Sequence, residues 1–210
     1  GHQGNCPWSE PVPFPKGFPF SGLRDTPHEG DWGVIPGLPE AEYDDAVTVD
    51  YAIDILGKKH DRPFFLACGI FRPHLPWYTP KRFFDLYPLE SIRLPKTPVE
   101  DLDDVPAEGR MLSAKRRAEF LNIKQHGKWK EAIRAYLASI SFADAQLGRL
   151  LDALEQSPHQ RNTIIVFWSD HGWHLGEKNH WHKSTLWEEA TRIPFIISAP
   201  GVTRAGTVCE

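Results

Sequence analysis

The stretch Thr163–Glu188, TIIVFWSDHGWHLGEKNHWHKSTLWE, decides how the chain is read. Its first six residues, Thr163 to Trp168, are apolar and largely β-branched, the pattern of a strand buried on both faces. Asp170, His171 and Gly172 follow directly. A carboxylate and an imidazole therefore sit just past a strand end, the edge at which open α/β sheets bind ligands. Four of the ten histidines, His171, His174, His180 and His182, crowd into the next residues, interleaved with Trp173, Trp181 and Trp187. Lys183 closes the cluster, before a helix expected to start near Ser184. Such density of titratable and aromatic side chains marks a site more than a plain loop.

The 210 residues are enough for one large domain with a real core. A hydrophobic share of 40% and a charged share of 25% are those of an ordinary globular chain. A net charge of −4 argues against a nucleic-acid partner. No apolar run is long enough to span a membrane. The first residues carry no secretory signal, which leaves either a removed leader or a beginning within a longer protein. Cys6, Cys68 and Cys209 have no metal spacing, and a Cys6–Cys209 disulfide stays open. Cys68 lies in an apolar run and is expected to be buried as a small hydrophobe.

Residues 1–39, rich in Pro, Gly and Trp, are expected to be an irregular extended segment. Residues 40–210 are expected to form an α/β core. A helix over 40–56 is followed by a strand over 64–71 that ends in Arg72, Pro73 and His74. A short helix is expected around 81–87 and a weak one over 112–124. The strongest helix spans 130–156, with an apolar stripe through Ile133, Tyr136 or Leu137, Ile140, Ala143 and Leu147. A last strand covers Pro194 to Ser198. Alternating helices and strands imply an α/β fold with a mainly parallel sheet flanked by helices.

In such a sheet Arg72 and His74 share an edge with Asp170 and His171, so the four converge on one pocket. Each has a plainer reading: Asp170 as a helix cap or turn residue, His74 as a loop histidine, Lys183 as a solvated lysine. A helix start beside Lys183 would make an anion site. The four histidines invite a zinc reading, but their spacing matches no common zinc pattern. The tryptophans are more often packing than substrate platforms. The pairs Asp44–Asp45 and Asp103–Asp104 follow no buried strand and read as structural.

The run SDHGWHLGEKNHWHKSTLWEEATRIPFI resembles a signature region of the sulfatase family, within the alkaline-phosphatase-like superfold. FFLACGIFRPHLPWYTPKRFFDLYP and YLASISFADAQLGRLLDAL are similar to the matching segments of iduronate-2-sulfatase-like members. The similarity runs from about Tyr43 to Gly201. It implies hydrolysis of sulfuric esters on sulfated sugars, and a periplasmic, extracellular or lysosomal location. It implies calcium held partly by Asp170 and His171, with His74 and Lys183 as catalytic contacts to the sulfate and the leaving oxygen. Trp173 is placed as a substrate-binding residue.

The family's nucleophile is a formylglycine made from a C-x-P-S-R cysteine. The nearest string here, Cys6-Pro7-Trp8-Ser9-Glu10, displaces the proline and puts glutamate where arginine is needed. The family's first-strand aspartate pair is also missing. The chain is thus expected to be the middle of a sulfatase catalytic domain, an incomplete alkaline-phosphatase-like fold, inactive alone, with its formylglycine lying upstream. Two rivals stand beside this reading: a phosphoester or phosphonate hydrolase of the same superfold, and a non-catalytic module that binds sulfated glycans.

Overall fold

Small residues on one side of the longest helix set the packing. The computed structural model describes residues 21–23, 30–98 and 100–208, apart from the side chains of Leu112 and Lys115. Helix α4, Trp129–Glu155, buries Ala132, Ile133, Ala135, Ala138, Ser139 and Phe142. The expected stripe ran one position round: Ile140 is exposed, and the buried face follows the alanines. Alanine lets large rings come close, and Phe142 meets Tyr43 at 5.6 Å and Phe83 at 5.3 Å, both edge-on. Helices α1, Asp44–Leu56, and α2, Lys81–Asp85, pack on this face. Helix α3, Ala107–Gln125, runs longer than the weak helix expected over 112–124.

Trp77 is the centre of the core and wholly buried. Its ring lies 5.4 Å from Tyr136, 5.8 Å from Trp173 and 6.1 Å from Trp181. The stretch Thr163–Glu188 is therefore anchored to the core through Trp173 and Trp181. Trp77 also belongs to β2, Trp77–Tyr78, which pairs in parallel with β1, Trp32–Gly33.

The strands depart from expectation. β3, Ile165–Trp168, pairs antiparallel with β6, Phe195–Ser198, where a parallel pairing was expected. A parallel return needs a helical crossover of a dozen or more residues. Between these strands lie α5, Glu188–Thr191, a single turn, a 3-10 turn over Glu177–Asn179, and an antiparallel ladder of β4, His174–Leu175, with β5, Trp181–His182, and no long helix. β3 is also not buried: Val166 and Trp168 are exposed, as are Phe195, Ile196 and Ile197 on β6. An unbroken apolar run belongs to a strand covered on both faces, and the described residues do not provide that cover. The expected strand over 64–71 has no regular secondary structure and joins no ladder among the described residues. Cys68 within it is half-buried, and burial pushes its thiol up. Cys6, Cys209 and most of the expected irregular segment lie outside the described residues.

Asp45 ties the 64–71 stretch to the helices. Its buried carboxylate accepts from the backbone N–H of Phe71 at 2.6 Å and of Arg72 at 3.1 Å. The structural reading of this aspartate stands, and it fixes the end of the stretch that carries His74.

Candidate active site

The ends of the two apolar stretches meet. A cavity of about 300 Å3 is lined by Arg72 and His74 from one, Asp170, His171 and Trp173 from the other, and Tyr136 of α4. A second cavity, of about 240 Å3, shares His74 and Trp173 with the first and adds Arg116, Glu119, His182 and Lys183.

The backbone after β3 turns tightly. Gly172 donates its N–H to the Ala190 carbonyl at 2.8 Å, and a Cβ at this glycine would lie 2.1 Å from the Glu189 carbonyl oxygen. Only glycine tolerates that approach, which explains the Asp-His-Gly order. Asp170 accepts from the His171 N–H at 3.0 Å, and its side chain is 82% exposed. The carboxylate thus lines the cavity with one hydrogen bond, from its neighbour's backbone, and with its Oδ2 3.4 Å from His171 Nε2.

His171 and Lys183 come together. The Lys183 ammonium donates to His171 Nε2 at 2.7 Å, and His171 Nδ1–H donates to the Gly172 carbonyl at 2.7 Å. A lysine twelve residues away in the chain is thereby delivered to the Asp170–His171 corner. No helix starts at Ser184, however: α5 begins at Glu188, so the expected helix-start anion site is corrected. Instead His182, φ 71°, and Ser184, φ 75°, both left-handed, flank Lys183. Such backbone costs about 1–3 kcal/mol per residue and persists where the surroundings impose it.

His74 is exposed and donates Nδ1–H to the Leu75 carbonyl at 2.6 Å. Its Nε2 has no hydrogen-bond partner among the described residues. Arg72 is buried, and its Nε and Nη2 both donate to the Tyr78 carbonyl at 3.3 Å. Trp173 is foremost a core residue, only 9% exposed, and it forms the wall between the two cavities.

The histidine cluster is divided among separate partners. His174 Nε2 meets the Thr185 hydroxyl at 2.8 Å, and His180 Nε2–H donates to the Lys183 carbonyl at 3.1 Å. No group of three or more His, Cys, Asp or Glu side chains suited to a metal ion occurs among the described residues. For a hard cation such as calcium, Asp170 fits as an oxygen ligand. His171 does not fit in this arrangement, because its Nε2 already accepts from a positive ammonium. The described residues therefore offer one oxygen donor, not a shell.

Burial pushes His180 down to about 4, well below the 6.5 of a free imidazole. The unfolded chain then binds more protons than the folded one between these values. Stability is full above about pH 6.5 and falls as the pH drops towards 4. We expect His180→Asn to shrink the difference between the urea midpoints at pH 7 and pH 4.5. An unchanged difference would show that another group sets the acid sensitivity.

Sequence reasoning missed one network. His182 Nε2 lies 3.0 Å from a Glu119 oxygen, and Arg116 Nη1 lies 2.8 Å from both. Burial alone would raise the Glu119 carboxyl, yet hydrogen bonds from His182 and Arg116 overcome it and hold it at about 2. In sequence Arg116 and Glu119 are an ordinary pair three apart on a helix. Nothing there shows that α3 would lie against β5.

Across the two adjoining cavities the arrangement offers a cationic donor, Lys183, an imidazole with a free nitrogen, His74, and an exposed carboxylate, Asp170. A sequence model described as Sulfatase matches residues 4–208. A sulfatase of Formosa agariphila is 43% identical over 202 residues, covering 91% of this chain and 40% of that protein. Iduronate 2-sulfatase of Homo sapiens is 40% identical over 178 residues, covering 79% of this chain and 32% of that protein. The chain thus spans two-fifths or less of the length of these relatives. A phosphonate monoester hydrolase of Agrobacterium radiobacter superposes with a TM-score of 0.68 at 20% identity, over 89% of this chain and 37% of its own. That likeness shows the fold, α/β and alkaline-phosphatase-like, here incomplete. With the family match running over nearly its whole length, the chain belongs to the sulfatase family.

Proposed function

We propose that this chain carries the sulfate-binding and leaving-group side of a sulfuric ester hydrolase acting on sulfated sugars, similar to iduronate 2-sulfatase. The observation that carries the reading is the Lys183–His171 pair, 2.7 Å apart, in contact with the cavities that His74 lines. Lys183 holds a sulfate oxygen and stabilises the charge that builds on it. His74 keeps Nδ1–H on the Leu75 carbonyl, so a second proton on Nε2 points to a departing alcohol. Trp173 excludes water from the wall between the cavities.

Sulfatases generally use a metal ion. In our reading that ion is calcium, Asp170 lends it one oxygen, and its other ligands come from outside the described residues. A bound cation of this kind would supply charge stabilisation at the sulfate oxygens. The formylglycine implied by the family resemblance has no counterpart among the described residues, whose one cysteine is Cys68.

Turnover of 4-nitrophenyl sulfate against 4-nitrophenyl phosphate by the full-length protein tests the reading. Hydrolysis of the phosphate alone would replace it with the phosphoester alternative. Hydrolysis of neither, with sulfated sugars still bound, would favour the glycan-binding alternative. The role of His74 has its own test. His74→Ala should lower kcat for a sugar sulfate about 10- to 100-fold more than for 4-nitrophenyl sulfate, because a good leaving group needs little proton help. Equal losses would make His74 a binding residue only.

A further inference from the structure

The second cavity contains polar groups that the proposed chemistry does not use. It is lined by one face of α3, where Arg116, Glu119 and Asn122 follow at successive turns. Arg116 spends Nη1 on Glu119, while its Nε and Nη2 have no partner among the described residues. The Asn122 side-chain amide has no hydrogen bond among them either. Both Glu119 oxygens are taken, by Arg116 and by His182, so this carboxylate presents little free charge to the cavity. The remaining polar lining includes the Arg116 and Lys183 cations and the Asn122 amide, whose NH2 can donate and whose oxygen can accept.

The two cavities also adjoin. His74 and Trp173 line both, and Lys183 of the second bonds His171 of the first. Each is at or below the small end for an organic ligand, and together they fall within the usual range of about 300–1,000 Å3. A ligand with its sulfate ester at Lys183, where the two cavities meet, therefore has the rest of the second cavity, lined by Arg116 and Asn122, for a neighbouring sugar ring. A guanidinium with two free donor nitrogens matches the geometry of an oxyanion.

The geometry points to a second subsite: Arg116 and Asn122 bind an anionic group, a carboxylate or a further sulfate, on the sugar next to the one that carries the scissile ester. This rests on the sulfate-ester reading of the first cavity. Glu119 and His182 act as positioning residues that hold the Arg116 fork in place.

The test uses three heparin-type disaccharides with the same scissile sulfate. In one the neighbouring ring carries a carboxylate, in one that carboxyl is reduced to the alcohol, and in one a second sulfate replaces it. Arg116→Gln in the full-length protein should cut the kcat/KM preference for an anionic probe over the reduced one about 10- to 100-fold, the scale of a lost charge-assisted hydrogen bond. Asn122→Leu should cut it less and guards against a folding defect in the first variant. Whether the carboxylate or the second sulfate shows the larger change identifies the anion. Equal losses on charged and reduced probes, or an unchanged preference in both variants, would overturn the subsite. If the wild-type protein turns over no sulfate ester, the sulfatase reading falls on that result alone. Calorimetric titration with the same probes then decides the subsite: weakening confined to the anionic probes supports it, and equal binding overturns it.

Discussion

Replacing Lys183 by methionine should lower kcat/KM for a sulfate ester about 100- to 1,000-fold. The change removes one preorganised donor aimed at charge that grows in the transition state, and such donors are worth about that factor. The structure sharpens the expectation. The ammonium sits 2.7 Å from His171 Nε2, between two residues with left-handed backbone, so it is held rather than swinging in solvent. Methionine keeps a comparable apolar stem and removes only the charge. The control is Lys58→Met, on the exposed residue that follows α1, which should stay within about twofold. A loss of similar size in both variants would mean that the effect is global charge, not the local contact. A loss confined to KM would mean that Lys183 binds sulfate equally in ground and transition states.

How far the sequence reached differs between helices and strands. Helices α1, α2 and α4 were legible because their periodicity, Gly57 and the Ser157–Pro158 stop are local signals. The strands were legible as extended stretches, but their partners were not. An apolar run such as Ile165–Trp168 states that something must cover it without stating what, and pairing direction depends on the connection between strands. The convergence of His74 with Asp170 and His171 was readable, since both follow apolar stretches. The Lys183–His171 contact was not, because it depends on the β4–β5 ladder folding the lysine back over twelve residues. The Arg116–Glu119–His182 network needed α3 to be placed in space, and helical periodicity carries no such information.

Asp170→Ala should remove turnover by a factor on the order of 1,000 or more, with little effect on stability. A hard cation that stabilises oxyanion charge contributes several kcal/mol, and about 4 kcal/mol corresponds to that factor. The stability half follows from the geometry. The side chain is 82% exposed, and its carboxylate accepts one hydrogen bond, from the next residue's own N–H. Exposed groups of this kind shift stability by less than about 0.5 kcal/mol, so the melting temperature should move by no more than about 2 °C. An aspartate used as a turn or cap residue would behave in the opposite way, costing stability while sparing the chemistry. Calorimetry with calcium separates the cation role from a merely electrostatic one. Asp170→Ala should weaken calcium binding at least about tenfold, while Asp170→Asn, which keeps one carbonyl oxygen, should weaken it less and regain part of its turnover when calcium is raised. Unchanged calcium affinity in the alanine variant would sink the ligand assignment even if activity were lost. Asp170 would then act on the Lys183–His171 pair through charge, its Oδ2 lying 3.4 Å from His171 Nε2.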